Sequence, residues 1–499
     1  MASERSGGAG PDPRRVHDLD TFARELGLLL ARASTGSRSP QVTLADLTRR
    51  IGLPRATIHN YITGNTLAPA DVLDQIVVAL SAPPEEQREW SEAWFRVSAY
   101  RQAERRQRLT RREVSPGQAN KSVTDLFHER LKRTASRTMD ICAISAQNLD
   151  LVHQIELIAP DHEERIAEAL ERPGGSGSNT TLALARLNIR TAIVGAIADD
   201  RYGRLLLADL TAAGVDTSLL ITVVDPGSTG HTLVFTDGDG RRLIYVLAGV
   251  NELMSREFSK QNMSANLIRL VHQARILHLS SFTGAAEREL QEKLVGSIDS
   301  DTILSFNPGA LYARLGADRL SQILTRTNVL FIYEQQLDEL LSKSSAGVGD
   351  RAATVSDKMA RLYDWRNRRG SNEPMAVAVK RPVDLVRGRA QDYLAIGYGR
   401  TSLEHFAGPD TGTRRYYILD STGAGDALAA GFLLGLLKYS TPHECANLAF
   451  VMALSASSGL GARVALPHGN ELAERWRLHL PDVTAPAWLI NDEERPCVL

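Results

Sequence analysis

The chain reads Asp420-Ser421-Thr422-Gly423-Ala424-Gly425-Asp426, and the apolar run of residues 427–434 follows at once. A strand-like segment, residues 415–419, precedes it, so the local order is strand, glycine-rich turn and helix. The first amides of a helix have no partner within the helix, and with the helix dipole behind them they bind phosphate. Gly423 and Gly425 carry no Cβ, so the backbone can approach an anion closely. The pattern therefore predicts a phosphate-binding turn at the start of a helix.

The acidic side chain of Asp426 falls in the first turn of this predicted helix. Bound phosphate would repel a carboxylate there, unless the carboxylate takes a proton from an incoming hydroxyl. We therefore interpret Asp426 as a general base for phosphoryl transfer, with the amides of Gly423, Ala424 and Gly425 stabilising the transferred group. The alternative is an ordinary glycine-rich turn in which Asp426 is only a helix-terminal charge, since short glycine motifs are often accidental.

A second glycine-rich segment lies upstream at residues 174–179, and a helical pattern follows it at 181–187. A strand-like run then ends in the acidic pair Asp199-Asp200. Both segments resemble the signatures of the ribokinase (PfkB) family of carbohydrate kinases, in the right order, over roughly residues 138–470. The resemblance implies an α/β fold with a doubly wound, mostly parallel sheet and a small β lid. It also implies an ATP-dependent phosphotransferase with an alcohol group as acceptor.

The resemblance assigns substrate contacts to Asn148, Asp150, Gly174, Gly175 and Asn179. Carboxylate and amide groups suit a polyol because they exchange hydrogen bonds with its hydroxyls. For the first two residues, an Asx turn that caps a loop is an equally good interpretation. The set suits sugars and nucleosides alike, so it predicts a sugar or nucleoside substrate without naming one. Ser176, at a position where some sugar kinases carry Lys, favours nucleosides.

The nucleotide site that the resemblance implies holds ATP and Mg²⁺, with a monovalent cation in some members of the family. The residues assigned to the nucleotide are Thr422, Gly423, Gly425, Lys380 and Arg381. The sequence identifies no metal ligand.

The chain departs from the family pattern at two places near this site. Tyr333-Glu334-Gln335-Gln336 stands where the family has Asn-x-x-Glu, which helps to organise Mg²⁺ and phosphate. A neutral Gln336 weakens the local field for a cation, unless Glu334 or Glu339 substitutes. Pro382 stands where the family has a glycine beside the nucleotide, and it has a fixed φ and no amide to offer. We therefore expect altered or weak ATP binding.

A hairpin is predicted at residues 229–246, where two strands flank a turn at 237–240. Glycines at alternate turn positions favour a tight reversal. In the family such strands form a lid over the sugar and often a dimer contact, which predicts a homodimer. Beyond the hairpin, strand-like runs alternate with helices, as in a parallel sheet that helices cover on both faces.

Residues 18–100 carry a helical pattern of their own. On both sides of the turn glycine Gly52, apolar residues fall where two crossing helices must interlock, at Leu47, Ile51, Leu53, Ile58 and Tyr61. The segment resembles a lambda-repressor-type (Xre) helix-turn-helix, whose second helix enters the major groove of DNA. The exposed face of that helix offers Arg55, Thr57, His59 and Asn60. The pattern predicts duplex DNA as a partner, and a dimerisation or protein-docking module is the alternative.

These patterns divide the chain into five predicted segments. They are a disordered N-terminus (1–17), a helix-turn-helix domain (18–100), a basic helical linker (101–137), a kinase domain (138–475) and a C-terminal tail (476–499). Basic residues far outnumber acidic ones in the linker. We interpret the linker as a solvated helix extension, and the alternative is an arm that follows DNA phosphates.

The chain has almost equal numbers of basic and acidic residues. The formal net charge is −1 and the pI is near 6.9, so no global preference for a polyanion or a membrane surface is expected. The three cysteines, Cys142, Cys445 and Cys497, lack metal-ligand spacing and suit a reducing compartment. The N-terminus lacks the apolar stretch of a signal peptide, and no run of membrane-spanning length is free of charges. We therefore expect a cytoplasmic protein.

The patterns together predict an ATP-dependent sugar or nucleoside kinase fused to a DNA-binding domain, with ligand-responsive transcription regulation as an extension. The rival interpretation is a DNA-binding regulator whose kinase-like half is a weak or inactive ligand sensor. The intact segment 420–426 favours the enzyme. The departures at Tyr333, Gln336 and Pro382 favour the sensor.

Overall fold

The computed structural model describes residues 10–35, 42–94, 96–97, 122–158, 163–164, 166, 169–224, 227–237, 242–260, 263–345, 354–381, 394–398, 403–406, 419–469 and 471–491. Its contacts divide the chain into two compact units, Met1–Asn120 and Lys121–Leu499. In the described part of the chain, no helix is both long enough and apolar enough to span a membrane.

In the first unit, the regular elements of the described residues are helical. The helices are α1 (Leu19–Thr35), α2 (Leu44–Ile51), α3 (Arg55–Ile62), α4 (Ala70–Ala79) and α5 (residues 84–94). Thr43 and Asp46 begin α2 with a capping box, in which each side chain accepts from the backbone amide of the other residue. Gly52 ends α2 with a φ of 75°, a left-handed conformation that glycine adopts without strain. This tight turn leads directly into α3.

The residues predicted to interlock around Gly52 share one core. Leu47 and Ile58 are buried in it. Ile51, Leu53 and Tyr61 are half-buried and pack against the same cluster. The all-α prediction therefore agrees with the structure, whereas the use of α3 on DNA stays a prediction.

In the second unit, strands and helices alternate along the chain. The strands are β1 (Met139–Ile144), β2 (Asn148–Gln154), β3 (Ala169–Pro173), β4 (Thr191–Ala198), β5 (Asp216–Val223), β6 (Gly230–Thr236), β7 (Arg242–Leu247), β8 (Ala274–Ser280), β9 (Ile303–Asn307), β10 (Val329–Tyr333), β11 (Ala376–Lys380), β12 (Leu394–Tyr398) and β13 (Leu403–Phe406). The helices are α6 (Val123–Arg133), α7 (Ser176–Ala185), α8 (Arg201–Ala212), α9 (Met254–Lys260), α10 (Ser264–Gln273), α11 (Ala285–Ser297), α12 (Gly309–Ala313), α13 (Ser321–Arg326), α14 (Glu334–Ser342), α15 (Val355–Arg368), α16 (Ala424–Leu437), α17 (Pro442–Ser457), α18 (Glu471–His479) and α19 (Ala487–Asn491).

The main sheet has nine strands in the order β13-β12-β11-β10-β9-β8-β1-β4-β5. Neighbours from β5 to β11 are parallel, and β12 and β13 add antiparallel strands at one edge. Strands β1, β4 and β8 are buried along their whole length, as expected when helices cover both faces. Within β1, Ile141 joins the core of α16 and α17, whereas Cys142 joins the core of α10 and α11. The predicted doubly wound, mostly parallel sheet is confirmed.

A second, smaller sheet has the order β3-β2-β6-β7. Strands β6 and β7 pair antiparallel, which agrees with the hairpin predicted at 229–246, although residues 238–241 of its turn lie outside the described residues. Strand β2, which carries Asn148 and Asp150, pairs in parallel with β6. Side chains along β7 from Leu243 to Leu247 stay partly exposed. A small four-stranded sheet with a partly exposed strand agrees with the predicted β lid. The predicted dimer contact stays a prediction.

Residues 122–137, assigned to the linker from sequence, belong to the second unit instead. Helix α6 buries Phe127 and Leu131 in the same core as α16. Three arginines of this stretch form ion pairs with acidic residues far along the chain: Arg130 with Glu373 at 2.9 Å, Arg133 with Asp301 at 2.7 Å and Arg137 with Asp299 at 2.6 Å. These three charges of the predicted arm are therefore paired within the fold of the second unit. The rest of the predicted linker, 101–121, lies outside the described residues.

Both predicted ends also differ from the structure. Residues 10–17 of the expected disordered N-terminus are described, and Val16 is buried in the core of the first unit. At the other end, Trp476, Leu480 and Leu489 of the expected tail are buried in the core of the second unit. The packed fold therefore continues beyond the predicted boundary at residue 475.

We expect Trp476→Ala to destabilise the second unit by about 3–5 kcal/mol, the usual cost of removing a large buried aromatic side chain. Trp476 is 1% exposed, and its indole N–H donates to the Val483 carbonyl at 2.9 Å. Urea unfolding followed by circular dichroism measures the change. Glu474→Ala, at an exposed position of the same helix, is the control and should stay within about 0.5 kcal/mol of wild type. Equal stability of W476A and wild type would mean that α18 is a dispensable tail after all.

Candidate active site

Steric contacts and hydrogen bonds fix the backbone conformation of the glycine-rich turn before α16. Gly423, the N-cap of α16, has a φ of 74°, and a Cβ there would lie 2.4 Å from the Ala462 Cβ. Both the backbone conformation and the space therefore require glycine. The Asp420 carboxylate holds the turn by accepting from the amides of Thr422 at 2.8 Å and Gly461 at 2.9 Å. The turn leads into a helix whose first amides have no partner within the helix, an arrangement suited to phosphate.

Asp426 lies in the first turn of α16, and both of its carboxylate oxygens accept hydrogen bonds. Oδ1 accepts from Ser176 Oγ at 2.6 Å and from Asn307 Nδ2 at 3.3 Å, while Oδ2 accepts from Asn179 Nδ2 at 2.8 Å. These donors come from α7 and from the end of β9, so three elements meet at the carboxylate. Burial raises the pKa of Asp426 above its ordinary value of 3.8, and the bonds from Ser176 and Asn179 oppose that rise.

Arg463 contacts the other end of the Asn179 amide and is 4% exposed. Its guanidinium donates to Asn179 Oδ1 at 2.7 Å, to the Asp209 carboxylate at 2.5 Å and to the Gly174 carbonyl. A guanidinium can only donate, so the oxygen of the Asn179 amide must face Arg463 and its nitrogen must face Asp426. The sequence analysis did not identify Arg463. Its one signal was a charged residue inside an otherwise small and apolar run.

Asn148 and Asp150 lie in strand β2, so the Asx-turn interpretation is wrong. Thr232 Oγ donates to the Asp150 carboxylate at 2.6 Å, and burial raises the pKa of Asp150 from 3.8 to about 6. A Cβ on Gly174 would lie 2.4 Å from that carboxylate, so glycine is needed for the fit. The Gly174 amide donates to the Asn148 carbonyl at 2.9 Å, and Gly175 follows with a φ of 92°. The structure thus brings the predicted substrate residues together.

A cavity of about 160 Å³ opens beside these residues. Asn148, Ser176 and Asn251 lie on its polar wall, and Val246 of β7 contributes an apolar side chain from the smaller sheet. Asn251, which the sequence analysis missed, donates to Asn148 Oδ1 at 3.1 Å and so orients that amide. Because Ser176 both lines the cavity and bonds to Asp426, the cavity adjoins the carboxylate proposed as the base.

Residues 139–363 match the model of the pfkB family carbohydrate kinases. An uncharacterized sugar kinase of Archaeoglobus fulgidus is 29% identical over 289 residues, which are 57% of this chain and 98% of that protein. The second unit contains a PfkB-family carbohydrate kinase domain. The domain belongs to the phosphotransferases that use an alcohol group as acceptor. A further relative of this kinase domain is an ATP-dependent ribose-1-phosphate kinase of Halopiger xanaduensis, 27% identical over 293 residues, 57% of this chain and 81% of that protein.

Solved structures agree on the fold of the kinase domain. The nucleoside kinase of Methanocaldococcus jannaschii, an archaeal member of the ribokinase family, matches with a TM-score of 0.51 at 19% identity, covering 69% of this chain and 99% of that chain. The ribokinase of Arabidopsis thaliana, complexed with ribose and ATP, matches with a TM-score of 0.52 at 19% identity, covering 68% of this chain and 98% of that chain. The kinase domain therefore has the ribokinase-like fold.

The departure from the family pattern around Tyr333 has a structural explanation. Gln336 Oε1 accepts from the Tyr333 amide at 3.2 Å, so the Gln336 side chain caps the N-terminus of α14. Glu334, an expected substitute for the family's glutamate, pairs with Lys358 at 3.0 Å and with Arg381 at 3.2 Å. Arg381, predicted to bind the nucleotide, is therefore held toward Glu334.

Lys380, the last residue of β11, lies near the turn that is predicted to bind phosphate. Its ammonium group donates to the Tyr333 hydroxyl at 3.1 Å and lies 4.8 Å from the centre of that ring. A Cβ on Gly425 would lie 3.2 Å from the same hydroxyl, which locates the pair beside the first turn of α16. The position agrees with a role for Lys380 at the phosphates. Pro382, the other departure, lies outside the described residues.

The predicted DNA contacts all fall on helix α3 of the first unit. Arg55 and His59 are exposed, whereas Thr57 and Asn60 are half-buried. Asn65 donates to Asn60 Oδ1 at 3.1 Å, so this amide already has one partner within the unit. The matched segment 139–363 contains no residue of this unit, and the DNA contacts stay predictions.

Because its pKa is raised in the folded state, the ionised carboxylate of Asp150 is expected to lower the free energy of unfolding at neutral pH. The folded state holds the proton more tightly than the unfolded state, so the cost is absent below the ordinary pKa of 3.8 and complete above about 6. The difference between those two values corresponds to about 3 kcal/mol. We therefore expect Asp150→Asn to raise the free energy of unfolding at about pH 8 by up to that amount, and to change it little near about pH 4.

Urea unfolding of wild type and Asp150→Asn at both pH values measures this effect. Asp199→Asn is the matched control, because Asp199 is an exposed carboxylate paired with Arg204 at 2.9 Å. The control should not gain stability as the pH rises. A D150N variant that is less stable than wild type at the higher pH would contradict the raised pKa.

Proposed function

We propose that the kinase domain transfers the γ-phosphoryl group of ATP to a hydroxyl of a sugar or a nucleoside. The observation that supports this most directly is the position of Asp426, in the first turn of α16 and next to a cavity that Ser176 and Asn148 line. ATP, when bound, supplies the phosphoryl group at the N-terminal end of α16. The chain supplies a base, a cradle of amides and the cationic Lys380, and phosphoryl transfer asks mainly for such positioning and electrostatic stabilisation.

In this mechanism the acceptor hydroxyl approaches Asp426 from the cavity. Asn148 and Asp150 bond to other hydroxyls of the acceptor, and Asn251 and Thr232 hold these two side chains in place. Asp426 takes the hydroxyl proton as the new oxygen–phosphorus bond forms. Burial raises the pKa of Asp426, which strengthens its carboxylate as a base and suits general base catalysis.

ATP and Mg²⁺ fit the chain to different degrees. Gly423 lets the turn pack closely against Ala462 and begin α16, whose first amides suit phosphate, and Lys380 adds a positive charge nearby. In the part of the chain that the structure describes, no group of three or more His, Cys, Asp or Glu side chains could hold a metal ion. We therefore assign Mg²⁺ to the phosphates of the donor rather than to a protein cage, as is usual for this ion.

A second candidate function is a regulator in which the kinase domain senses a ligand and turns over little of it. The contacts of Gln336 and Glu334 favour it, because they occupy side chains that would otherwise help to organise the metal. A screen of ATP turnover against sugars, ribose 1-phosphate and nucleosides separates the two functions. Turnover supports the enzyme, whereas saturable ligand binding without turnover supports the sensor.

For the first unit we propose duplex DNA as the partner. The tight turn at Gly52, the shared core of α2 and α3, and the exposed Arg55 and His59 support this function. Arginine side chains bind both phosphates and guanine edges. We further propose a cytoplasmic homodimer in which ligand binding and DNA binding are linked, so that each changes the affinity of the other by the same factor.

Asp426→Asn should lower kcat by about 10²–10⁴-fold, because an amide cannot take the hydroxyl proton and a general base usually contributes that much. ATP binding should stay nearly unchanged, since the amides of the turn are retained. Steady-state turnover and a separate ATP titration measure the two effects. Asp482→Asn, an exposed carboxylate, is the control and should keep wild-type turnover. Equal turnover in D426N and wild type would rule out the role of Asp426.

Replacing both Arg55 and Asn60 by alanine should abolish the preference of the protein for particular DNA sequences. The helical circular-dichroism spectrum should persist, because neither side chain is part of the buried core. Selection of bound fragments from a genomic library, followed by titration at low and high salt, measures the preference. Arg88→Ala on α5, whose exposed side chain pairs with Glu92, is the control. A wild-type protein that ignores DNA even at low salt would identify the unit as a docking module.

A further inference from the structure

The hydroxyl of Ser176 lies where the proposed mechanism needs an acceptor hydroxyl. Its Oγ donates to Asp426 Oδ1 at 2.6 Å. A general base must lie about 2.6–3.2 Å from the hydroxyl whose proton it takes, so the distance is suitable for proton transfer. Asn307 Nδ2 donates to the same Oγ at 3.2 Å and to Asp426 at 3.3 Å. A hydroxyl oxygen has two lone pairs, and with one facing Asn307 the other remains for attack on phosphorus.

Ser176 also faces the space in which ligands bind. It lines the cavity together with Asn148 and Asn251. It is the first residue of α7, and Gly175 directs it there with a φ of 92°. The first turns of α7 and α16 therefore converge on the bond between Ser176 and Asp426. The Gly177 amide of α7 already donates to Ser145 Oγ at 2.9 Å, whereas the first amides of α16 have no partner within the helix and so favour a phosphoryl group.

Other hydroxyls near the cavity have different partners. Ser178 is buried and donates to Gln147 Oε1 at 2.6 Å. Ser280 donates to Ser145 Oγ at 2.8 Å, on the cavity wall. Ser281 lines the cavity as Ser176 does. Within the described residues, the bond to the Asp426 carboxylate distinguishes Ser176 from these serines.

We propose that Ser176 is an internal phosphoryl acceptor, which the domain phosphorylates when ATP is bound and the acceptor cavity is empty. The proposal rests on the proposed function, because it uses the same donor and the same base. A bond forms between Ser176 Oγ and the γ-phosphorus, and the bond from that phosphorus to the β,γ-bridging oxygen breaks. ADP leaves with the electron pair of the broken bond. The hydroxyl proton passes to Asp426, so atoms and charges balance without a further reactant.

The product would inhibit the domain. A phosphoserine carries a charge of about −1.5 to −2 and three strong acceptor oxygens. At position 176 it would repel the Asp426 carboxylate and fill the side of the cavity from which an acceptor must approach. An acceptor already in the cavity would displace the serine hydroxyl from Asp426 and so protect the enzyme. Phosphorylation of Ser176 would therefore occur, and inhibit the domain, when ATP is present and an acceptor is absent.

The test incubates the full-length protein with Mg²⁺ and radiolabelled ATP in the absence of any acceptor, and locates the label by phosphopeptide mass spectrometry. We expect one labelled residue, Ser176, at a first-order rate that does not depend on protein concentration, because the transfer is intramolecular. Ser176→Ala should remove the label, whereas the matched control Ser281→Ala should retain it. Asp426→Asn should slow the labelling by about 10²–10⁴-fold. An acceptor that supports turnover should slow it in proportion to its occupancy.

The outcomes separate this proposal from the proposed function. Turnover of an added acceptor without label on Ser176 would overturn the proposal and leave the kinase function standing. Label on Ser176 that persists in D426N, or that forms at a rate proportional to protein concentration, would also overturn it. Absence of both turnover and label would reject the proposed function and the proposal together. Label on Ser176 that requires Asp426 supports the proposal even before an external acceptor is known.

Discussion

Arg463 buries a positive charge between α7 and α8, and the acidic half of the active site depends on it. A buried charge costs several kcal/mol unless hydrogen bonds and counter-charges compensate it. Here Asp209, Asn179 and the Gly174 carbonyl provide that compensation. Without the guanidinium, the Asn179 amide could turn over, and its oxygen would then face the oxygen of Asp426. The geometry of the proposed base is therefore set by a residue that does not touch it.

The guanidinium of Arg463 also affects the pKa values of the two buried carboxyl groups, Asp150 and Asp426. Burial raises the pKa of both Asp150 and Asp426, and the positive charge of Arg463 opposes the rise in each case. Two carboxylates in a poorly solvated site otherwise tend to hold a proton, because each disfavours ionisation of the other. A general base has to be ionised before it can accept a proton. One buried arginine thus orients the donor to Asp426 and helps to keep Asp426 in its active form.

The sequence predicted the part of the site whose elements are consecutive. Turn and helix follow one another around Gly423 and Asp426, so local patterns were enough to predict that the turn begins α16 and that Asp426 lies in its first turn. Arg463 meets Asn179 across 284 positions of the chain, and no periodicity reports such a contact. Ser176 was noted only as a specificity residue, because its bond to Asp426 spans 250 positions. The fold class was predictable for the same reason as the turn, since alternating strands and helices are local patterns.

Domain boundaries were less predictable, because they depend on partners that lie far away in the sequence. The basic residues of α6 and the segment after it resemble a solvated arm until Glu373, Asp301 and Asp299 are brought next to them. Likewise Trp476 has no distinctive local pattern, and only its burial in the core assigns α18 to the kinase domain. Charge composition therefore overestimated the linker, and the lack of a local signal led to an overestimated tail.

The two halves of the active site follow the family pattern to different extents. On the acceptor side, Asp150, the glycines and Asp426 retain it, and hydrogen bonds from Thr232, Ser176 and Asn179 hold the two carboxylates. On the donor side, Gln336 caps a helix and Glu334 is committed to Lys358 and Arg381, so neither is disposed to organise a cation. Lys380 adds a positive charge on that side, because its ammonium group lies over the Tyr333 ring, beside the first turn of α16 where phosphate is proposed to bind. The main departure from the family pattern therefore lies on the donor side of the candidate site, where side chains that would organise a cation are committed to other partners.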